Sequence, residues 1–248
     1  SPGPPTTILG HGHHVSAATL HHECPPTLAR ALLPTSPDRL VWLDSYREEY
    51  DSLCDQQTFS VITQADLSLL SCKVLPCMTV LTVKRDELGH PVRAKSRIVV
   101  LGNLEETYWS KSDTYAPVLS QVSLLHQGDC KNAFCHPTLP PHEVVVVRPP
   151  KGCPFSPPDT FWRLNKTLYG LRRSPRHWYT CFRDVLLGMG LTPCPHEPCL
   201  FTGILIVGSP PLYLGIYVDD FAYFSVSSDV EQWFEAALAA QLRVDFLG

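Results

Sequence analysis

The stretch that decides the fold is Leu212-Tyr213-Leu214-Gly215-Ile216-Tyr217-Val218-Asp219-Asp220-Phe221-Ala222-Tyr223-Phe224. Its two apolar runs flank Asp219 and Asp220, which predicts a β-hairpin with two adjacent carboxylates at its tip. Strand interiors disfavour Asp, and neighbouring like charges repel unless a cation lies between them. Because Asp is also common in two-residue turns, two interpretations stay open at this point: a divalent metal site or a solvated turn.

The composition is that of a globular protein. The chain has 248 residues, of which 44% are hydrophobic and 18% are charged, so it can bury a core as one large domain or two small ones. No apolar run approaches the roughly 20 residues that span a bilayer, and no basic segment followed by an apolar core predicts a signal peptide. The sequence therefore predicts an intracellular protein, cytoplasmic or nuclear, with no membrane partner.

Cysteine and charge patterns narrow the function classes. None of the ten cysteines forms a C-x-x-C pair, which argues against a zinc ribbon or a redox motif. The formal net charge of -4 argues against a uniformly basic nucleic-acid-binding surface. The basic residues nevertheless form two clusters in the sequence: Lys84, Arg85, Arg93, Lys95 and Arg97, then Lys166, Arg172, Arg173, Arg176 and Arg183.

Two regions differ in their patterning. Residues 1–38 are rich in Pro, Ser, Thr and His without a sustained period, which predicts a mostly irregular tail. No familiar metal site matches the spacing of the tail's His and Cys residues, which are His11, His13, His14, His21, His22 and Cys24. Residues 39–248 form the predicted folded domain.

The folded domain alternates between helical and strand patterns. A helix is predicted from Arg39, and strands over residues 73–84 and 92–101 are predicted to join at a turn around Gly89. Further strands are predicted at 143–148, 160–164, 200–207, 212–217 and after Asp220. Another helix is predicted with Ser174 as N-cap and Pro175 in its first turn, and a last one over 229–242 with a Ser228/Glu231 capping box. This order predicts an α+β fold with a largely antiparallel sheet.

A metal site made from Asp219 and Asp220 would need a further carboxylate, because Mg²⁺ prefers several oxygen ligands. Asp129 is the best candidate in the sequence, since it begins a short block that reaches Phe134 five residues later.

Several blocks resemble the reverse transcriptase of copia-type long-terminal-repeat retrotransposons. Lys166–Tyr179 is similar to that family's K-x-L-Y-G-L-K-Q-x-P-R-x-W-Y stretch, and Asp129–Phe134 is similar to its D-V-K-x-A-F block. Tyr217–Asp220 matches its Y-V-D-D, while Arg93–Val100 resembles its fingers strand and Tyr115–Val118 its F-A-P-V. The blocks occur in the family's order over residues 39–248.

The resemblance implies a right-hand polymerase with fingers and palm, a mainly antiparallel palm sheet with packed helices, and no thumb before Gly248. It implies RNA-directed DNA polymerase activity, which is two-metal nucleotidyl transfer to a primer 3′-hydroxyl. The implied cofactors are two Mg²⁺ ions, with Mn²⁺ as an alternative. The implied partners are an RNA or DNA template with its primer and deoxynucleoside triphosphates.

The resemblance also implies a role for each matching residue. The catalytic metal ligands would be Asp129, Asp219 and Asp220. The nucleotide would be bound by Lys95 and Arg97 at its triphosphate, by Phe134 as the steric gate against a 2′-hydroxyl, and by Tyr169 and Gly170 as the pocket floor. Nucleic-acid contacts would come from Tyr217, Arg172, Arg173 and Arg176. Packing into the core stays an alternative for Phe134, as does a solvated strand charge for Arg97, and Trp178 is predicted to be a core residue.

Departures from the family pattern favour a second interpretation. Only ten residues separate Val118 from Asp129, where the family has a helix. Gly128 is expected to weaken the strand before Asp129, and Leu101 replaces the family's usual Lys. The alternative is a decayed or repurposed fragment that at most binds nucleic acid. A metal-dependent nuclease or phosphatase would use similar carboxylates but would not explain the Leu168-Tyr169-Gly170 block.

Overall fold

The computed structural model of the chain describes residues 24–105, 109–114, 116 and 126–247. The chain divides into two compact units, one comprising Ser1–Glu49 with Thr79–Arg97 and the other Tyr50–Met78 with Ile98–Gly248. Among the residues described, no helix combines the length and apolar character needed to cross a membrane.

Helices and strands alternate along the chain. The helices are α1 (Leu28–Ala31), α2 (Arg39–Asp55), α3 (Gln64–Ser68), α4 (Lys111–Thr114), α5 (Ser174–Gly188) and α6 (Ser228–Ala239). The strands are β1 (Phe59–Ile62), β2 (Val74–Arg85), β3 (Pro91–Val100), β4 (His126–Cys130), β5 (Val146–Arg148), β6 (Phe161–Leu164), β7 (Thr192–Cys194), β8 (Glu197–Gly203), β9 (Leu212–Tyr217), β10 (Asp220–Phe224) and β11 (Val244–Phe246).

The first unit is built around the outer parts of β2 and β3. Its buried residues Ala31, Trp42 and Ala94 pack together, with Leu81 and Val83 against them. The β2–β3 turn closes as predicted, with Gly89 at a φ of 84°, because only Gly adopts that conformation without strain. The predicted irregular tail contains one helical turn, α1, whose first turn is capped by the Thr27 side chain.

In the described part of the chain, the strands form two sheets. One has the order β1-β6-β5-β2-β3, in which β2 and β5 are parallel. The other has the order β11-β4-β10-β9-β8-β7 and is antiparallel throughout. The α+β class and the largely antiparallel sheet are therefore confirmed.

The antiparallel sheet buries one face against α5 and α6. Alternate residues of β9, which are Leu212, Leu214 and Ile216, are buried, while Tyr213 and Tyr217 are exposed. This period of two is what a strand with one covered face requires. The helices contribute the opposite side of the core with Trp178, Phe182, Leu186, Val230, Phe234 and Leu238.

Both predicted helix caps are wrong in detail. Helix α5 begins at Ser174 itself, and the buried Ser174 hydroxyl donates to the carbonyl of Leu168 at 2.7 Å instead of capping the helix. Helix α6 begins at Ser228, and Glu231 accepts from the backbone N–H of Ser225 at 3.0 Å, so the Ser228/Glu231 capping box does not form. In both cases a partner outside the helix competes for the capping side chain.

Several strand boundaries also differ from the pattern. The strand predicted over 143–148 begins only at Val146, because the preceding residues turn with a bond from the Glu143 N–H to the Pro140 carbonyl. The strand predicted over 200–207 is β8, which starts at Glu197 and pairs with the short strand β7, which the pattern did not predict.

Gly128 has a packing role that the sequence did not show. It lies opposite Phe221 in the β4–β10 ladder, and a Cβ atom built on it would lie 2.2 Å from the Phe221 ring. The aromatic ring thus occupies the space that a side chain would fill, and the expected weakness of a strand glycine is offset by this cover.

We expect Gly128→Ala to destabilise the protein by about 1–3 kcal/mol, because the buried Phe221 ring must move to admit a methyl group. Gly188→Ala is the matched control, since a Cβ there meets nothing within 4 Å, and we expect it to be neutral or stabilising by up to about 1 kcal/mol. Denaturant unfolding followed by circular dichroism measures both. Equal stability of the two variants would contradict the proposed Phe221 cover.

Candidate active site

The predicted carboxylate hairpin forms, but its tip is Val218-Asp219 and not Asp219-Asp220. Tyr217 pairs with Asp220, so Asp220 is already the first residue of β10. Val218 has a φ of 58°, a left-handed conformation that is costly for a β-branched residue. The carbonyl of Val218 accepts a hydrogen bond from the indole Nε1 of Trp178 at 2.6 Å.

The β-ladder brings Asp129 beside this turn. Asp129 in β4 lies directly opposite Asp220 in β10, and the Cys130 N–H donates to the carbonyl of Asp219 at 2.8 Å. This bond lies next to the Asp129/Asp220 pair and identifies it as a non-hydrogen-bonded pair, in which opposing side chains come closest. Two carboxylates therefore project from one face of the sheet at directly opposite positions.

The electrostatics of the three carboxylates are those of a crowded anionic site. Burial raises the pKa of the Asp220 carboxyl, and the charge of Asp219 raises it further. Burial likewise raises the pKa of the Cys130 thiol, and the charges of Asp129, Asp219 and Asp220 add to that shift. Like charges at directly opposite positions destabilise a sheet, and Asp129 and Asp220 occupy such positions.

The side chains themselves do not form a closed cluster. Within the described part of the chain, no three His, Cys, Asp or Glu side chains are arranged so that they could hold a metal ion. The backbone brings Asp129, Asp219 and Asp220 together, and their carboxylate oxygens are the ligand type that Mg²⁺ prefers.

A fourth carboxylate, Asp245, was missed by the sequence reasoning. It lies in β11 directly opposite Asp129, on the side of β4 away from Asp220. Its carboxylate forms an ion pair with the Lys131 ammonium at 2.7 Å. The alternation in Val244-Asp245-Phe246 could have indicated a strand, but nothing in it indicates which strand is its neighbour. Asp245, Asp129 and Asp220 thus form one row across three adjacent strands.

Phe134 and Tyr169 lie together. Their rings make an edge-to-face contact with centroids 5.0 Å apart, and Phe134 is half-buried in the 3₁₀ turn Ala133–Cys135. The Thr167 hydroxyl donates to the Phe134 carbonyl, and the Tyr169 carbonyl accepts from the Val100 N–H at 2.7 Å. The two residues predicted to line the nucleotide pocket are therefore neighbours.

Gly170 is held in close contact with β3. It has a φ of 94°, and a Cβ atom on it would lie 2.0 Å from the Val100 carbonyl oxygen. Both features require glycine at this position, while its place in the floor of a nucleotide pocket stays a prediction.

The four side chains predicted to contact nucleic acid differ in their exposure and in the interactions that they make within the chain. Arg172 donates to the carbonyls of Gly102 and Asn103 at 3.0 and 3.2 Å. Arg173 forms a 2.6 Å ion pair with the largely buried Glu143 and lies over the Trp109 ring. Tyr217 is half exposed beside Asp220, and Arg176 is half-buried in α5.

Lys95 and Arg97 belong to the first unit. They lie on one face of β3, and the residues between and beside them, Ala94, Ser96 and Ile98, are buried on the other. Partial burial lowers the pKa of the Lys95 ammonium, and the positive charges of Arg97 and Lys84 lower it further. Positive charge is therefore concentrated along this part of β3.

Some predictions fall outside the described residues. They are the match of Tyr115, Pro117 and Val118 to F-A-P-V, the missing helix in most of the segment between Val118 and Asp129, and the histidines of the first 23 residues.

Comparison with known proteins identifies the family. The family model for reverse transcriptase (RNA-dependent DNA polymerase) matches residues 66–248. The chain is 28% identical over 192 residues to the retrovirus-related Pol polyprotein from transposon RE2 of Arabidopsis thaliana, covering 72% of this chain and 13% of that polyprotein. It is 25% identical over 198 residues to the Pol polyprotein from transposon TNT 1-94 of Nicotiana tabacum, covering 74% and 14%.

Among solved structures, the foamy viral protease-reverse transcriptase in complex with double-stranded DNA aligns with 16% identity and a TM-score of 0.41, covering 82% of this chain and 30% of that one. The chain spans 13% and 14% of the two curated relatives named above. Since the family match covers most of the chain and its relatives are transposon Pol polyproteins, the chain belongs to the reverse transcriptase family of copia-type retrotransposons.

Proposed function

We propose that this chain is an RNA-directed DNA polymerase domain that extends a primer 3′-hydroxyl with deoxynucleoside triphosphates on an RNA or DNA template. The observation that carries the proposal is the register that sets Asp129 opposite Asp220, one residue from Asp219. Three acidic residues from two segments far apart in sequence thereby meet at one end of the antiparallel sheet.

Asp129, Asp219 and Asp220 would hold two Mg²⁺ ions, or Mn²⁺ in their place. When bound, such ions would activate the primer hydroxyl and stabilise the charge that develops on the triphosphate. The repulsion between the Asp219 and Asp220 charges supports this assignment, because a divalent cation would remove it.

The remaining residues would bind and select the nucleotide. The edge-to-face pair of Phe134 and Tyr169 offers an apolar surface for a sugar and base, with Phe134 as the gate against a 2′-hydroxyl. Lys95 and Arg97 would bind the triphosphate, and Gly170 would let the backbone approach closely. Tyr217 and Arg176 would contact the template or primer. Arg172 and Arg173 would do the same through the N–H groups that are not used in their hydrogen bonds and ion pair within the chain.

A decayed or repurposed fragment is the second candidate. It is favoured by the absence of a closed metal cluster in the described residues and by the intramolecular bonds of Arg172 and Arg173. Such a fragment would bind nucleic acid through its basic residues without synthesis, and binding would weaken steeply with salt.

Primer extension on an RNA template with Mg²⁺ separates the two candidates. We expect the natural chain to incorporate nucleotides and Asp219→Asn to incorporate none above background, because the amide loses one negative charge and a ligand oxygen. Gel-resolved extension of a labelled primer measures this, with Asp229→Asn on α6 as a control for charge loss elsewhere. Equal incorporation by the natural chain and Asp219→Asn would rule out the polymerase assignment.

A further inference from the structure

Trp178 connects the segments that build the candidate site. Its ring is 1% exposed and stacks on Phe182 with centroids 5.1 Å apart. On another side it lies 5.8 Å from the imidazole of His136, which follows the 3₁₀ turn of Phe134. Its indole Nε1 donates to the carbonyl of Val218 at 2.6 Å.

The accepting carbonyl belongs to the strained residue of the hairpin. Val218 has a φ of 58°, and a β-branched residue in such a conformation persists only where its surroundings hold it there. The Val218 carbonyl is part of the peptide unit that leads directly into Asp219. A hydrogen bond to this oxygen therefore fixes the orientation of the peptide from which Asp219 projects.

The helix that presents Trp178 is itself anchored near the site. At the start of α5, the buried Ser174 hydroxyl donates to the Leu168 carbonyl at 2.7 Å. Farther along, the Phe182 ring makes an edge-to-face contact with Phe221 at 5.8 Å. Since Phe221 is the next residue after Asp220, the indole is held in a fixed frame by contacts before and after it.

We propose that Trp178 is a positioning residue whose indole N–H holds the Val218–Asp219 peptide in place and so directs the Asp219 and Asp220 carboxylates. The inference rests on the proposed function, because it concerns the carboxylates to which that function assigns the metal ions. It goes beyond the core role that the sequence predicts for Trp178, since it gives the indole N–H a task that packing does not require.

The test compares Trp178→Phe with a matched tryptophan. Trp162 is also fully buried, but its Nε1 has no hydrogen-bond partner within the described residues. Trp178→Phe and Trp162→Phe thus remove the same atoms, and only the first breaks a hydrogen bond. Calorimetric titration of the full chain with Mn²⁺, without nucleic acid, should show roughly three- to tenfold weaker binding for Trp178→Phe and unchanged binding for Trp162→Phe.

A second substitution separates positioning from packing. Val218→Gly removes the cost of the left-handed conformation, because glycine adopts it freely. In the Val218→Gly background, the additional change Trp178→Phe should weaken Mn²⁺ binding less than twofold. A loss of packing alone would weaken binding equally in both backgrounds, which would overturn the inference.

The inference and the proposed function fail in distinguishable ways. Mn²⁺ binding that is equal in the natural chain and in Trp178→Phe overturns the inference and leaves the function standing. An absence of Mn²⁺ binding by the natural chain overturns both. If Trp178→Phe does not fold, indole NMR signals of the natural chain decide the matter: Mg²⁺ should shift the Trp178 Nε1–H signal and not that of Trp162, and an unmoved Trp178 signal overturns the inference.

Discussion

Asp129→Asn is expected to abolish primer extension while making the fold slightly more stable. The loss of a metal-ligand carboxylate should cost about 4 kcal/mol of transition-state stabilisation, which is roughly a 10³-fold loss of rate. In the metal-free protein, however, Asp129 lies directly opposite Asp220 and opposite Asp245. Removing a like charge from that position should stabilise the sheet by about 0.2–1 kcal/mol.

A loss of activity together with a gain in stability would distinguish a metal ligand from a structural residue at position 129. A purely structural Asp129 would lose stability and activity together, whereas a ligand held against repulsion loses only activity. The rate is measured by single-turnover primer extension with Mg²⁺, and the stability by denaturant unfolding in the presence of a chelator.

Asp245→Asn provides the matched control for this prediction. Asp245 lies in the same row as Asp129 but already forms an ion pair with Lys131 at 2.7 Å, and both side chains of this pair are about half exposed. We expect activity to change less than about fivefold, because an exposed ion pair contributes at most about 1 kcal/mol. A loss as large as that of Asp129→Asn would show that the whole row, with Asp245, forms the site.

The sequence predicted the elements of the site better than their connections. The alternating runs on either side of Val218 and Asp219 predicted the hairpin, since a strand with one covered face has a period of two. The Gly89 turn and the helix after Pro175 were also predictable, because glycine and proline restrict the backbone locally.

Interactions that reach beyond a single helix or strand were not predictable in this way. Ser174 and Glu231 satisfy the local rules for caps, but groups that lie six residues earlier in the chain, the Leu168 carbonyl and the Ser225 N–H, take their hydrogen bonds. Asp245 lies beside Asp129 because β11 pairs with β4 at the edge of the sheet. A local sequence pattern does not predict which strands pair. Likewise, Gly128 looked like a weak point until the Phe221 ring was found to cover it.

Gly170→Ala is expected to be the most destabilising single-methyl change near the site. At a φ of 94°, an added Cβ would lie 2.0 Å from the Val100 carbonyl oxygen and 2.6 Å from a Val99 methyl. The backbone strain costs about 1–2 kcal/mol, and the clash with a strand carbonyl adds at least about 2 kcal/mol because β3 must shift. We therefore expect a total loss of more than about 3 kcal/mol in denaturant unfolding.

Gly190→Ala separates the two contributions. Gly190 has the same φ of 94°, but a Cβ there meets nothing within 4 Å, so this variant should lose only the strain of about 1–2 kcal/mol. Equal losses for Gly170→Ala and Gly190→Ala would contradict the close approach of Gly170 to β3.

The displacement of β3 in Gly170→Ala should also affect nucleotide binding. The Tyr169 carbonyl binds the Val100 N–H at 2.7 Å, and the Tyr169 ring contacts Phe134. Moving β3 away from Gly170 would therefore displace the aromatic pair proposed to bind the nucleotide, while Asp129 and Asp220 lie in the other sheet. At a temperature where Gly170→Ala remains folded, KM for the deoxynucleoside triphosphate should rise more than kcat falls, since nucleotide binding and not the carboxylate site is disturbed.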